Sequence, residues 1–273
     1  MQATVNGHRM HWVEAGDPKG PPIILVHGFP FTHAMWGPQL DALKKAGWRA
    51  IAYDVRGHGG SAAGDGQYLL ETFVDDLLGL MDHLKLDTAA WCGLSMGGYV
   101  VLRALERAPE RCRAAVLADT RSEADADATK LRRAEVLRSL PQAGVKAFAE
   151  GFLKTVFAPE NIERRPEAVE LIRRLIEGNT VLGIKGALLA LAGRTDTTAA
   201  LASIRIPTLV LVGEKDALTP PALAEALAAK IPGATLARIP GAGHMSNLEG
   251  PDAFNSALLG FLKGLPEERC RVS

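Results

Sequence analysis

The chain has 273 residues, of which 47% are hydrophobic and 23% charged, and this composition is typical of a globular protein with one large domain or a core that carries an insertion. Lysine plus arginine number 31, as do aspartate plus glutamate, so the zero formal charge argues against nucleic-acid binding and against a basic membrane surface. The sequence contains no apolar run of transmembrane length and no signal-peptide pattern at its N-terminus, which predicts a soluble protein.

Short, continuously apolar runs alternate with helical patterns along the chain. Such runs are typical of strands in a parallel sheet that helices cover on both faces. Strand, helix and strand repeated in this way predict a doubly wound α/β sheet. The predicted strands are residues 23–27, 49–54, 89–93, 114–119 and 208–213.

The first predicted strand ends in the sequence His27-Gly28-Phe29-Pro30. Because the chain turns at Gly28, we expect the backbone N–H of Phe29 to face the carboxyl edge of the sheet, where it can stabilise an oxyanion. His27 is a candidate base. We interpret it as a brace for the loop, since a later histidine takes the role of base.

Residues 71–84 predict an amphipathic helix, because apolar side chains recur at spacings of three and four. The polar side chains of this segment fall outside the apolar stripe, and we expect them to be solvated. They are Asp75, Asp76, Asp82 and His83.

Ser95 lies between a predicted strand and a helix, in the sequence Gly93-Leu-Ser-Met-Gly97. A sharp turn from strand to helix strains its central residue and brings the residues two before and two after into close contact, where only glycine fits. Gly98 lets the helix lie close to the sheet. The pattern alone is also typical of a glycine-rich turn, but the flanking strand and helix favour an exposed serine nucleophile beside a helix N-terminus.

Residues 122–200 interrupt the alternation with charged helical patterns and no convincing strand. We therefore predict a helical cap over residues 122–200, inserted into a core formed by residues 1–121 and 201–273. Arg121, at the start of the cap, is a candidate cation for an acidic substrate, although arginine at this position is also typical of a solvated side chain.

A serine nucleophile needs a base, and the base needs an orienting carboxylate. His244 lies in a glycine-bounded loop after the last strand-like stretch, and Asp216 lies just beyond the strand before it. Each residue alone is typical of a turn or a surface. The order Ser95, Asp216, His244 nevertheless matches the serine, acid, histidine order of one fold. Asp119, which ends a predicted strand, is the rival acid.

Five motifs carry a resemblance to a known family, and they are HGFP, DVRGHGGS, GLSMGG, GEKDALTP and GHMSNLE. Together they resemble the α/β-hydrolase superfamily, within it the small carboxylesterases, 3-oxoadipate enol-lactonases and cofactor-free haloperoxidases. The resemblance implies the α/β-hydrolase fold, a mostly parallel doubly wound sheet with a helical cap inserted after the sixth strand. It implies that Ser95 is the nucleophile, His244 the base and then acid, and Asp216 the partner of the histidine. Phe29 and Met96 match the positions of the oxyanion-hole donors.

The resemblance also implies that Asp54 and Arg56 brace a structural loop, and that the reaction is hydrolysis of small carboxylic esters through an acyl-enzyme. One alternative is a lactonase for enol-lactones, for which Arg121 would supply a cation. Another is an esterase with secondary perhydrolase activity, which Pro30 would favour. A ligand receptor on the same fold is the non-enzymatic alternative. Serine at position 95 argues against haloalkane dehalogenases and epoxide hydrolases, which carry aspartate there.

The chain lacks the glycine motifs of nucleotide-binding sites and the clustered ligands of metal sites, so we expect neither a cofactor nor a metal. Cys92, Cys112 and Cys270 show no paired spacing, which is typical of reduced thiols in a cytoplasmic protein. We expect the partner to be a small ester or lactone substrate, and a homodimer is an open alternative to a monomer.

Overall fold

The structure, a computed structural model, describes residues 1–265, so Cys270 and the rest of residues 266–273 lie outside the described part. Eight strands form one sheet in the order β1-β2-β4-β3-β5-β6-β7-β8. They are β1 (Gln2–Val5), β2 (His8–Ala15), β3 (Pro22–Val26), β4 (Arg49–Tyr53), β5 (Ala89–Leu94), β6 (Cys112–Ala118), β7 (Thr208–Gly213) and β8 (Thr235–Ile239). From β4 to β8 all pairs are parallel, which confirms the predicted doubly wound, mostly parallel α/β sheet.

The central strands are buried over their whole length, because helices cover both faces of the sheet. Alternate side chains of β3 pack into two separate apolar cores, one on each face of the sheet. Ile24 and Val26 belong to the core on one face, and Ile23 and Leu25 belong to the core on the other. The sheet is therefore held from both sides, and the carboxyl ends of its strands stay at one fixed edge.

The antiparallel strands β1 and β2 at the sheet edge were not predicted. Burial alternates along the first part of β2, with Met10 and Trp12 buried and Arg9 exposed. This is the pattern of a strand with one solvated face. The edge strands therefore lack the continuous apolar run by which the central strands are recognised.

Ten helices pack on the sheet or lie between strands in the described part of the chain. They are α1 (Gly37–Lys45), α2 (Leu70–His83), α3 (Met96–Arg107), α4 (Asp127–Val156), α5 (Pro159–Arg164), α6 (Pro166–Glu177), α7 (Val181–Gly193), α8 (Pro221–Lys230), α9 (Ser246–Glu249) and α10 (Pro251–Lys263).

Asp76 on α2 is fully buried, so the prediction that it is solvated was wrong. Arg56 donates to both oxygens of this carboxylate, from Nε at 2.9 Å and from Nη2 at 2.7 Å. A bidentate ion pair of this kind offsets the cost of burying the charge. Arg56 comes from the loop after β4, so the periodicity of α2 alone cannot reveal its partner.

The helices α4 to α7 lie between β6 and β7, within the segment predicted to form a cap. Gly144 interrupts α4 with a φ of 79° and a ψ of 159°, so the helix is bent there. In residues 1–265 no single helix is long and apolar enough to cross a membrane. Within the same residues only α6 and α7 taken together reach that length and apolar composition, and the pair is bent by 98°.

Candidate active site

Ser95 occupies the turn between β5 and α3 with a φ of 54° and a ψ of −113°, a backbone region that residues with a side chain rarely adopt. A Cβ at Gly93 would lie 2.2 Å from the carbonyl oxygen of Gly97, and a Cβ at Gly97 would lie 2.0 Å from that of Val26. The close approach predicted for the two glycines is therefore confirmed.

The turn is fixed to the neighbouring strand β6. The Ser95 N–H donates to the Ala118 carbonyl at 2.9 Å, and the Thr120 hydroxyl donates to the Ser95 carbonyl at 2.9 Å. Gly98 makes room for Thr120, since a Cβ there would lie 2.5 Å from Thr120 Oγ1. The backbone strain at Ser95 is held by these contacts, which orient the turn at the carboxyl edge of the sheet.

Asp216 and His244 are in direct contact, as the chain order Ser95, Asp216, His244 predicts. His244 Nδ1 lies 2.8 Å from Asp216 Oδ2, and both residues are almost fully buried. Thr219 lies beside the pair, with its hydroxyl 2.6 Å from Asp216 Oδ2 and 3.2 Å from His244 Nδ1. The contact holds the imidazole with Nδ1 towards the acid.

The second oxygen of Asp216, Oδ1, accepts hydrogen bonds from the backbone N–H groups of Leu218 at 2.8 Å and Thr219 at 2.9 Å. Burial alone would raise the pKa of Asp216, but the charge of His244 and the hydrogen bonds from His244 and Thr219 outweigh it and hold the pKa below its usual value. Asp216 is therefore a carboxylate in the neutral pH range.

Asp119, the rival acid, lies beside Asp216 with a different set of partners. Its Oδ1 accepts from the Gly213 N–H at 2.8 Å, and its Oδ2 is hydrogen-bonded to the Ser246 hydroxyl. Complete burial and the neighbouring charge of Asp216 raise the pKa of Asp119 well above its usual value. Burial therefore favours the neutral form of Asp119 beside the ionised Asp216.

The loop after β3 places Phe29 opposite Ser95 at the edge of the sheet. The Gly28 carbonyl accepts from the Phe31 N–H at 2.9 Å and is contacted by His27 Nδ1 at 2.8 Å. In residues 1–265 no carbonyl accepts the Phe29 N–H. Met96 is the first residue of α3, where the N–H has no partner required by the helix. Phe29 and Met96, the predicted oxyanion-hole donors, both line the same cavity as Ser95.

His27 is a brace and not a base, as its contacts indicate. It is fully buried, its Nδ1 contacts the Gly28 carbonyl, and its Nε2 accepts from the Val55 N–H at 2.9 Å. Burial lowers the pKa of His27 to about 3, so the ring is neutral. Its two nitrogens connect the loop after β3 with the loop after β4.

A cavity of about 480 Å³ opens between the sheet edge and the helices α4 and α7. Ser95, Phe29 and Met96 form part of its floor. Its residues are Phe29, Ser95, Met96, Tyr99, Arg121, Thr129, Arg132, Arg133, Val136, Phe148, Phe152, Thr155, Leu188, Leu191, Ala217, Leu218 and Thr219. The volume is that of a pocket for a small molecule.

One wall of the cavity is aromatic. Phe148 and Phe152 of α4 stack with ring centroids 5.4 Å apart, and each meets the ring of Phe29 edge-on, at 6.2 Å and 5.8 Å. Such contacts between aromatic rings stabilise the arrangement beyond the area they bury. The helix that covers the site therefore packs directly on the loop that carries a candidate oxyanion donor.

A second wall is cationic. Asp125 is buried and receives three arginines, Arg121 at 2.8 Å, Arg133 at 2.6 Å and Arg194 at 3.1 Å. Of this cluster Arg121 and Arg133 line the cavity, whose lining residues in the described part of the chain include no carboxylate. Arg132 also lines the cavity, and none of the described residues places a carboxylate within ion-pair distance of it.

Two clusters in residues 1–265 bring three side chains of metal-ligand type within 4.8 Å of one another. One is the group of Asp119, Asp216 and His244. The other comprises His11, His33 and Asp54, in which the histidine Nδ1 atoms lie 2.9 Å and 2.7 Å from the carboxylate oxygens. In both clusters short hydrogen bonds already join the histidine nitrogens to the carboxylate.

The model of the alpha/beta hydrolase fold family matches residues 21–251. The chain belongs to the α/β-hydrolase family. The match covers the strands from β3 to β8, with the loops that carry Ser95, Asp216 and His244.

Relatives of this α/β hydrolase have diverse names. 3-Oxoadipate enol-lactonase 2 of Acinetobacter baylyi is 30% identical over 254 residues, which cover 93% of each chain. The structure of a Thermogutta terrifontis esterase with malate bound has a TM-score of 0.92 at 33% identity, covering 97% of this chain and 98% of that one. The structure of a Bacillus anthracis bromoperoxidase has a TM-score of 0.85 at 28% identity, covering 96% and 100%. Membership of this family supports a hydrolase activity.

Several residues of the site in this α/β hydrolase were not predicted. Their contacts join segments that are separated in the chain: Thr219 contacts His244, and Arg194 contacts Asp125. Thr219 lies three residues after Asp216, where a hydroxyl can cap a turn, and this spacing could have indicated its contact with the acid. Asp125 and Arg194 are separated by 69 positions, and no local pattern connects them.

Proposed function

We propose that the protein is a carboxylic ester hydrolase that works through an acyl-enzyme on Ser95. The observation that carries this proposal is the strained serine that lines a cavity together with two candidate oxyanion donors. The contact between Asp216 and His244 supports the same assignment. A site built in this way favours attack by a hydroxyl on a carbonyl carbon.

In the proposed reaction His244 Nε2 accepts the hydroxyl proton as Ser95 Oγ attacks the ester carbonyl. The carbonyl oxygen becomes an oxyanion, which the N–H groups of Phe29 and Met96 stabilise. The tetrahedral adduct collapses when His244 returns the proton to the leaving alcohol, and an acyl-enzyme remains. Water then attacks the acyl-enzyme with His244 as base, and the acid leaves. Asp216 stabilises the imidazolium formed in each half-reaction.

We expect short acyl chains to be preferred, because α4 and α7 line the cavity and its volume is about 480 Å³. A panel of p-nitrophenyl esters of rising chain length measures this preference. kcat/KM for acetate and butyrate esters should exceed that for the laurate ester by about tenfold or more. A serine-directed phosphonate should inactivate the enzyme with one label per chain, on Ser95. High activity on emulsified long-chain triglyceride would contradict the enclosed site.

A second candidate function is the hydrolysis of an ester or lactone that carries a carboxylate. The surplus of arginines in the cavity wall favours it, and one of them, Arg121, is the cation expected from the sequence. The similar proteins include a 3-oxoadipate enol-lactonase and an esterase with malate bound, and both descriptions name a carboxylate. A carboxylate at the far end of the substrate would meet Arg121 or Arg132 while the carbonyl lies at Ser95.

The charge preference can be tested with Arg132→Gln, which leaves the three partners of Asp125 in place. We expect kcat/KM for a p-nitrophenyl ester with a terminal carboxylate to fall about three- to fivefold, the effect of one exposed charge pair. The neutral ester of equal length should be unaffected, and added salt should reduce the difference. Arg138→Gln, an exposed arginine on the same helix, is the control. Equal losses on both esters would contradict a charge-specific role.

A further inference from the structure

Asn179 connects the cap to the loop that carries the candidate oxyanion donor Phe29. It follows α6 and is almost fully buried. Its Nδ2 donates to the Pro30 carbonyl at 2.7 Å and to the Leu175 carbonyl at 3.0 Å. Its Oδ1 accepts from the Gly59 N–H at 2.8 Å. One amide thus joins three separate segments.

The orientation of this amide is determined by its partners. Carbonyl groups face its nitrogen and an N–H group faces its oxygen, so exchanging the two atoms would leave each opposite a group of its own kind. A buried amide with every partner in place is expensive to disturb, because any group left unpaired loses both water and its hydrogen bond. Asn179 is therefore a fixed point for the loops that it contacts.

The Pro30 carbonyl belongs to the turn of residues 28–31. On the entry side of this turn the Gly28 carbonyl is held by the Phe31 N–H and His27 Nδ1. The peptide group that contains this carbonyl also contains the Phe29 N–H, so the two point in opposite directions within one plane. On the exit side Asn179 holds the Pro30 carbonyl. The direction of the Phe29 N–H thus depends on a turn that is tethered at both ends.

A second contact fixes the same cap segment at close range. A Cβ at Gly183, near the start of α7, would lie 1.8 Å from the Gly57 carbonyl oxygen. The backbone of α7 therefore rests directly on the loop after β4. Since Asn179 is only four residues earlier, it has little freedom to follow the turn if the turn shifts.

We propose that Asn179 is a positioning residue that holds the turn of residues 28–31 so that the Phe29 N–H faces the developing oxyanion. The proposal rests on the proposed function, in which Phe29 donates to that oxyanion. Asn179 touches neither substrate nor nucleophile and acts through the Pro30 carbonyl. Its contribution should be larger in the transition state than in substrate binding, because the oxyanion forms only during the reaction.

The test compares Asn179→Asp and Asn179→Ala with the control Asn255→Asp. Asn255 is half-buried away from the cavity and also uses both ends of its amide, since its Nδ2 donates to the Pro38 carbonyl at 3.2 Å and its Oδ1 accepts from Gln39 at 2.9 Å. Active sites are counted by phosphonate titration, so that misfolded protein does not enter kcat. kcat, KM and the inhibition constant of a trifluoromethyl ketone, which forms an anionic adduct with a catalytic serine, are measured for each variant.

We expect Asn179→Asp to lower kcat about 10- to 100-fold per titrated site, less than the loss of a whole oxyanion donor, with KM changed less than about twofold. The inhibition constant of the ketone should rise by a similar factor, and Asn255→Asp should match the wild type. Lowering the pH should restore part of the relative kcat of Asn179→Asp, because a protonated carboxyl group can again donate to the Pro30 carbonyl. Asn179→Ala should show no such recovery.

Unchanged kcat per titrated site in Asn179→Asp, or a loss with unaltered ketone affinity, would overturn the role of Asn179 while leaving the esterase proposal intact. A wild-type protein that neither reacts with the phosphonate nor hydrolyses any ester of the panel would overturn both. The two failures are distinguishable because the second is already visible without any substitution.

Discussion

Ser95→Ala is expected to abolish ester hydrolysis, with a loss of about 10⁴-fold or more in kcat, while the protein stays folded. The hydroxyl is the proposed nucleophile, and neither water nor the neighbouring groups replace it in forming an acyl-enzyme. The backbone of the turn is fixed by the Ala118 carbonyl and the Thr120 hydroxyl, and neither contact uses the serine side chain. Stability should therefore change little.

Ser95→Gly is the matched variant, because it removes the same hydroxyl and also relieves the backbone strain. Glycine adopts a φ of 54° without the steric cost that serine or alanine carries, about 1–3 kcal/mol, although it loses more chain entropy on folding. We expect both variants to be inactive and Ser95→Gly to melt no lower than Ser95→Ala. Wild-type turnover by pure Ser95→Ala, or phosphonate labelling that persists in it, would refute the nucleophile assignment.

Much of the sheet could be predicted from the sequence, because buried parallel strands show as apolar runs. The run at residues 208–213 matches β7 at both ends. The turn at Ser95 was predictable for a similar reason: Gly93 and Gly97 are required by contacts with their immediate surroundings. In each case a local requirement for burial or close packing determines which residue types occur at those positions.

Contacts between distant segments leave no such trace. Asp76 has the spacing of a solvated residue on an amphipathic helix, and its burial depends on Arg56, Asn6 and His8 from other segments. Asn179, followed by Thr180 and an apolar run, is typical of a helix start, and Thr180 does cap α7. The hydrogen bond from Asn179 to the Pro30 carbonyl spans 149 positions and depends on the completed fold. The residues that hold the site were therefore harder to predict than those proposed to react.

Asp119→Asn is the control for the acid of the proposed triad. Because burial favours the neutral carboxyl form of Asp119, an amide can replace it with its oxygen towards the Gly213 N–H and its NH₂ towards Ser246. We expect kcat within about fivefold of the wild type. An acid whose pKa is raised by folding destabilises the native state as the pH rises above the unfolded-state value. Asp119→Asn should therefore gain thermal stability relative to the wild type as the pH rises above about 4.

Asp216→Asn is expected to lower kcat on the order of 10³- to 10⁴-fold. Two N–H groups, from Leu218 and Thr219, point at the Oδ1 position, so the amide must place its oxygen there and turn its NH₂ towards His244. His244 Nδ1 must then accept a hydrogen bond from this amide, so the single ring hydrogen sits on Nε2 and the proposed base for Ser95 is lost. The phosphonylation rate and kcat should fall together, with a thermal midpoint near that of the wild type. If Asp119→Asn showed this loss at constant stability and Asp216→Asn did not, the acid would be Asp119.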